Sequence, residues 1–251
     1  MYLLSMTPLD TDHVDEICED LINQQKTGVS THAMMMMYFA PEGTPPVNKA
    51  EIYCKKYDIF RERLDAAGAK HGVLVQSTLG HGAPLNSEHP FQKMVSLMDG
   101  GIEKPICCPM DENYRQYIKE QMRILAQHKP QIIMIDDDMG LLYRFDKGCF
   151  CPKHMEEFNR RAGVSMTREQ LIKHIHGTTE EDRYYTDIYI QTQGDSRVGA
   201  AKAMREGIDS VDPSIQGIIS LAGNYCEFTD RIAEAFAGKD NLKIARFNNG
   251  N

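Results

Sequence analysis

The sequence predicts an α/β protein of the (β/α)8 barrel type. Three observations predict it. Short apolar runs of strand length alternate with longer stretches of helical period. The runs are continuously apolar, as strands covered on both faces must be. Several of them end in polar or charged residues followed by long loops, and a barrel carries its active site at the C-terminal ends of its strands.

Length and composition set the bounds. A chain of 251 residues can bury the core of one large α/β domain. Net charge is −8, with no basic cluster, which excludes nucleic acid as the main partner. No apolar run approaches the roughly 20 residues of a membrane span, so no membrane partner is expected. The opening MYLLSMTPLD is too short, and lacks the basic flank, for a signal peptide. Seven cysteines without a secretion signal point to a reducing, cytoplasmic setting. There, clustered cysteines hold metal more often than they pair.

The elements follow in order. YLLSM (2–6) reads as a first strand, and Val14, Ile17, Cys18, Leu21 and Ile22 form one helical stripe. AMMMMYF (33–39) has strand length; its methionines suit a buried parallel strand better than a soft-metal site. After APEGTPP, Asn48 with Glu51 resembles a helix cap, and Tyr53, Tyr57, Phe60 and Leu64 keep helical spacing up to Gly68. GVLVQST (72–78) is the next buried strand. A Gly/Pro/His loop then runs from Leu79 to Pro109, carrying GHG and CCP; a loop that long is often functional. Tyr114, Tyr117, Ile118, Met122 and Leu125 mark a helix, followed by the strand IIMID. Helices are predicted at 152–161, 167–175 and 182–209. QGIISLA (216–222), a short helix at RIAEAFA and LKIARFN (242–248) complete the series. This gives about six βα units in a single barrel domain, 1–251, two short of a closed barrel and so expected to be C-terminally incomplete. Open sheet edges of that kind also make a homo-oligomer possible.

Two clusters carry chemistry. IIMIDDDMG runs apolar residues into Asp136, Asp137 and Asp138. Adjacent carboxylates repel, so they are solvated, bound to metal or used in catalysis; a crowded pair can share a proton. Strand alternation would send Asp136 and Asp138 to one side and Asp137 to the other. GCFCPKH supplies Cys149, Cys151 and His154, three donors suited to tetrahedral zinc. Cys108 or Cys107, one βα unit earlier, is the candidate fourth ligand. A site filled by four protein ligands is structural and would pin two loops at the active-site face, with one zinc per chain.

Residues 108–163, CPMDENYRQYIKEQMRILAQHKPQIIMIDDDMGLLYRFDKGCFCPKHMEEFNRRAG, resemble the fourth βα unit of family 42 glycoside hydrolases, the retaining β-galactosidases. That family has Cys-Pro before a Tyr-Arg helix, a strand ending Asp-Asn-Glu, an aromatic-Gly pair, a Cys-x-Cys-x-x-Cys zinc loop and a helix carrying Phe. The counterparts here are Cys108-Pro109, Tyr114-Arg115, Asp136-Asp137-Asp138, Met139-Gly140, Cys149, Cys151, His154 and Phe158. The resemblance implies a carbohydrate substrate and places the general acid/base on Asp138, one methylene shorter than the family's glutamate. Asp137 falls where the family has the asparagine that binds the sugar 2-hydroxyl. The family's nucleophile lies on the seventh strand, beyond Asn251.

Gln76 and His81, at or after the third strand's tip, are candidate sugar-hydroxyl ligands. Arg144 could balance the aspartates, and Asn248, Asn249, Asn224 and Glu227 follow later strands. Two other functions compete. Asp136-Asp137-Asp138 contains the Asp-x-Asp of metal-dependent glycosyltransferases, and a barrel without its catalytic pair could bind sugar without turnover.

Overall fold

The computed structural model describes residues 2–84, 86–96, 100–139, 148–222 and 228–248. The chain alternates strands with helices: β1 (Leu4–Pro8), α1 (Val14–Lys26), β2 (His32–Tyr38), α2 (Lys49–Ala66) and β3 (His71–Gln76). Then come β4 (Lys93–Val95), β5 (Ile102–Cys107), α3 (Glu112–Gln127), β6 (Ile132–Ile135) and a 3-10 turn at Asp137–Met139. The last elements are α4 (Pro152–Ala162), α5 (Arg168–Ile175), α6 (Glu180–Asp209), β7 (Gln216–Ala222), α7 (Thr229–Ala237) and β8 (Ala245–Asn248).

β1-β2-β3-β6-β7-β8 form one six-stranded sheet, and every neighbouring pair is parallel. In register, Met36 faces Leu74, Leu74 faces Met134 and Met134 faces Ile218. These rows split the apolar runs between two faces. Met35, Val73 and Ile133 pack toward the helices with Tyr57, Phe60, Ile118, Met122, Ile208 and Phe236. Met34, Leu74, Ile132, Met134 and Ile218 form a smaller inner cluster, with Leu4, Met6 and Met36 against it. Each fully buried large apolar side chain stabilises the fold by about 1.5–3 kcal/mol. The methionine run is thus an ordinary doubly covered strand. Gly217 shows how close the layers lie: a Cβ there would come within 1.9 Å of the Phe236 carbonyl oxygen on α7.

The sheet curls as a barrel does. Tyr2, Leu4 and Met6, at the β1 edge, line one cavity of about 560 Å³ with Ile218, Ile244 and Arg246 from the β7–β8 side. The fold is a (β/α) barrel of about six units, as predicted.

Local signals explain most boundaries. Asn48 caps α2, accepting the Glu51 N–H at 3.2 Å. Thr167 and Thr179 open α5 and α6 with reciprocal capping boxes through Gln170 and Asp182. Gly163 ends α4 at φ 68°. Among the described residues, no helix is long and apolar enough to cross a membrane.

Two expectations are corrected. The Gly/Pro/His loop is not structureless, because β4 and β5 pair antiparallel inside it. Their mixed composition, with a proline in β5, hid them from a reading based on apolar runs. Alternation also cannot orient the aspartates: β6 ends at Ile135, and Asp137–Met139 is a 3-10 turn.

Candidate functional site

The described ends of β3, β5 and β6 bring residues 77–82, 107–108 and 136–139 to the C-terminal face, where barrels build their sites. The Asp136 N–H donates to the Val75 carbonyl at 2.9 Å, joining the tips of β6 and β3. The chain then turns, and Asp137 and Asp138 are both buried, the Asp138 side chain at 0% exposure. Asp138 Oδ2 accepts the Leu79 N–H at 2.8 Å. His81 Nδ1 lies 3.5 Å from Asp138 Oδ1, and its side chain is 41% exposed, on the solvent side of the carboxylate. Potential ligand atoms of His81, Asp137 and Asp138 all fall within 4.8 Å of one another. Asp136 does not belong to that group.

Burial disfavours the charged forms of several groups around Asp138. Burial raises the Tyr38 phenol, with a Ser77 hydrogen bond opposing and the Asp138 charge adding. Burial pushes the Tyr114 hydroxyl well up, and the charges of Cys107 and Asp138 act in the same direction. The Cys107 thiol is raised by burial, then by Asp111 and Asp138. Desolvation penalises further negative charge beside a buried carboxylate, so these groups stay neutral near it.

The second cluster lies beside this tip. Cys108 Sγ is 3.4 Å from Cys151 Sγ and 3.3 Å from His154 Nδ1. Cys151 Sγ is 3.4 Å from the same nitrogen. Cys149 joins them, and all four donor atoms are buried and within 4.8 Å of one another. Zinc bonds of about 2.3 Å to sulfur and about 2.0–2.1 Å to nitrogen put tetrahedral ligand atoms about 3.5–3.8 Å apart. Three thiols and an imidazole at this spacing therefore fit a four-coordinate structural centre. Cys108 takes the fourth place in the cluster, while Cys107 Sγ lies 3.6 Å from His89 Nε2.

Three elements hold the knot. Cys151 is the N-cap of α4, where the helix dipole favours a thiolate. Gln193 of α6 grips Cys149 through two main-chain hydrogen bonds, each 3.0 Å. The Phe150 N–H donates to the Val95 carbonyl of β4 at 3.0 Å. Hydrogen bonds from Cys108 and Cys149, and then His154, hold the Cys151 thiol far below its usual range, while burial raises Cys108 and Cys149. A divalent ion held there would favour the ionised form of all three thiols.

Of the other predicted residues, Gln76 closes β3, half-buried, and its carbonyl accepts the Phe39 N–H at 2.9 Å. Arg144, Asn249, Asn224 and Glu227 lie outside the described residues, and Asn248 is the last residue of β8. Sequence reasoning missed Arg197. This arginine of α6 is 0% exposed, donates to the Met139 carbonyl at 2.7 Å and lies 5.2 Å from the Phe228 ring centroid. Nothing in its flanking residues marks it; an arginine on a long helix reads as surface.

No family model matches the chain, and no curated protein does. Solved structures do. A β-galactosidase from Bacillus circulans sp. alkalophilus is 17% identical with a TM-score of 0.66, over 100% of this chain and 40% of that one. A β-galactosidase from the psychrophilic Marinomonas ef1 is 10% identical with a TM-score of 0.67, over 100% and 41%. An exo-β-agarase is 11% identical with a TM-score of 0.56, over 95% and 32%. The chain thus spans about 40% of the length of the β-galactosidases it resembles. At these identities the likeness shows the fold, and it agrees with the resemblance drawn from residues 108–163.

Proposed function

We propose that this chain is the barrel portion of a retaining glycoside hydrolase acting on a β-linked sugar, with Asp138 as general acid/base. One observation carries the proposal: a buried carboxylate pair at the C-terminal tip of β6, with His81 3.5 Å from Asp138 Oδ1, in a barrel whose structural neighbours include β-galactosidases. Such hydrolysis needs a carboxyl that protonates the leaving oxygen and a second carboxylate about 5 Å away as nucleophile. Asp138 supplies the first. In this reading Asp137, His81 and Gln76 would bind sugar hydroxyls.

The same proposal includes one structural zinc held by Cys108, Cys149, Cys151 and His154. The zinc would neutralise the thiolates and tie the start of α4 to the end of β5. None of the six described cysteines is in a disulfide, in keeping with the proposed cytoplasmic location. β1 and β8 each have one strand neighbour among the described residues, leaving edges through which copies could pair.

The test is turnover. The polypeptide carrying this chain, purified without chelator, is assayed against a panel of aryl β-glycosides, and release of the aryl group with retained anomeric configuration is expected. A second reading is favoured by the 0% exposure of the Asp138 side chain: a sugar-binding barrel without turnover. Calorimetric binding of a β-galactoside with no hydrolysis would select it.

A further inference from the structure

Residues 77–82 are fixed far more heavily than a loop usually is. Ser77 has φ 58°, an uncommon conformation for a residue with a side chain, and Gly80 and Gly82 follow at 105° and 76°. Ser77 Oγ donates to the His81 carbonyl, and the Gly80 N–H donates to the Ser77 carbonyl at 3.0 Å. The Tyr114 hydroxyl of α3 donates to the Thr78 carbonyl at 2.8 Å. The Cys107 N–H of β5 donates to the Leu79 carbonyl at 2.7 Å. Gly80 lies flat on β5: a Cβ there would come within 1.8 Å of the Pro105 carbonyl oxygen.

Both polar atoms of the Leu79 backbone are therefore committed, its carbonyl to β5 and its N–H to Asp138 Oδ2. Leu79 is 1% exposed, so water does not compete for either bond. The residue after Cys107 is Cys108, which belongs to the cysteine–histidine knot. A continuous path runs from the knot through β5 and the Leu79 backbone to the carboxylate.

We infer that residues 77–80 are a positioning clamp for Asp138: Leu79 orients the carboxylate through its N–H, and the flat seat of Gly80 on β5 fixes where that N–H points. The clamp stands on geometry alone; its effect on turnover rests on the acid/base role proposed for Asp138. A strained turn held at several points is what a preorganised group requires, because reorientation then costs more than the bond being positioned. His81 shares the turn, so the same clamp sets the imidazole beside Asp138 Oδ1.

Amide hydrogen exchange of the purified polypeptide that carries this chain tests the clamp. Asp138→Ala removes the acceptor and should speed exchange at Leu79 by about tenfold or more. Asp138→Asn keeps an oxygen acceptor and should leave Leu79 close to the parent. Gly80→Ala should speed both Leu79 and Cys107 while β2 amides stay protected, and should lower kcat on unactivated glycosides with little change in KM. Equal exchange at Leu79 in the parent and in Asp138→Ala would overturn the clamp, as would uniform acceleration of the whole sheet in both Asp138 variants. Should Gly80→Ala not fold, the two Asp138 variants still decide. A parent with no turnover would count against the hydrolase, while the exchange pattern would still settle the clamp.

Discussion

The two donor clusters at the C-terminal face are built in opposite ways. In the knot, Cys108, Cys149, Cys151 and His154 point at one another, with sulfur and nitrogen atoms as close as 3.3 Å. At the β6 tip, Asp138 takes a bond from the main chain, the Leu79 N–H at 2.8 Å, with an imidazole beyond it. Donors facing each other lower their energy by sharing a cation. A carboxylate held by a main-chain N–H keeps its orientation. The difference separates a candidate structural centre from a candidate reactive one.

The sharpest break in that comparison is metal removal. Protein purified without chelator should hold about one zinc per chain by elemental analysis, and Cys151→Ala should bring it near zero. A structural zinc contributes on the order of 10 kcal/mol of binding free energy, so the variant should melt far below the parent. Affinity should weaken as pH falls, because the thiols must ionise to bind. No bound metal, together with an unchanged melt for Cys149→Ser, would end the zinc proposal.

A smaller effect is expected at Arg197, which donates to the Met139 carbonyl behind the tip. Arg197→Met keeps volume but removes donors; hydrogen bonds from charged groups are worth about 1.5–3 kcal/mol each, and chemical denaturation should show a loss of that size. An unchanged midpoint would mean that the turn does not depend on α6.

A further effect lies away from both clusters. His32, at the start of β2, is buried, and its imidazole is pushed down to about 4 by burial and then by Lys70. Its folded value is below the unfolded value of about 6.5, so the unfolded chain binds the proton first. Stability should fall as pH drops from about 6.5 to about 4 and level off below. His32→Gln should remove that slope, measured by thermal melts across the range. A slope that survives would assign the acid sensitivity to another group.

The fold was legible because parallel strands buried on both faces leave continuous apolar runs, and helices leave stripes such as Tyr57, Phe60 and Leu64. The knot was legible because three of its donors fall within six residues, and a barrel puts consecutive loops side by side. Cys108 is the expected fourth donor, with Cys107 as its substitute, and the way the chain leaves β5 puts Cys108 in the cluster. The environment of Asp138 was hidden: its partner is a backbone N–H fifty-nine residues away, and no side-chain identity encodes that bond. The glycines around His81 were the available trace, read as a turn though they seat the loop on β5.

The most direct test of the central claim is the leaving-group dependence of Asp138→Asn in the hydrolysing polypeptide. Asparagine can still accept the Leu79 N–H but cannot donate a carboxylic proton. Turnover of unactivated glycosides should fall by about 10²–10⁴-fold, activated aryl glycosides should lose less at the glycosylation step, and added azide should partly restore the rate. Asp137→Asn should be tolerated far better. If Asp138→Asn matches the parent on an unactivated substrate while Asp137→Asn is inactive, the acid is Asp137; if neither change matters, the buried pair is not the catalytic machinery.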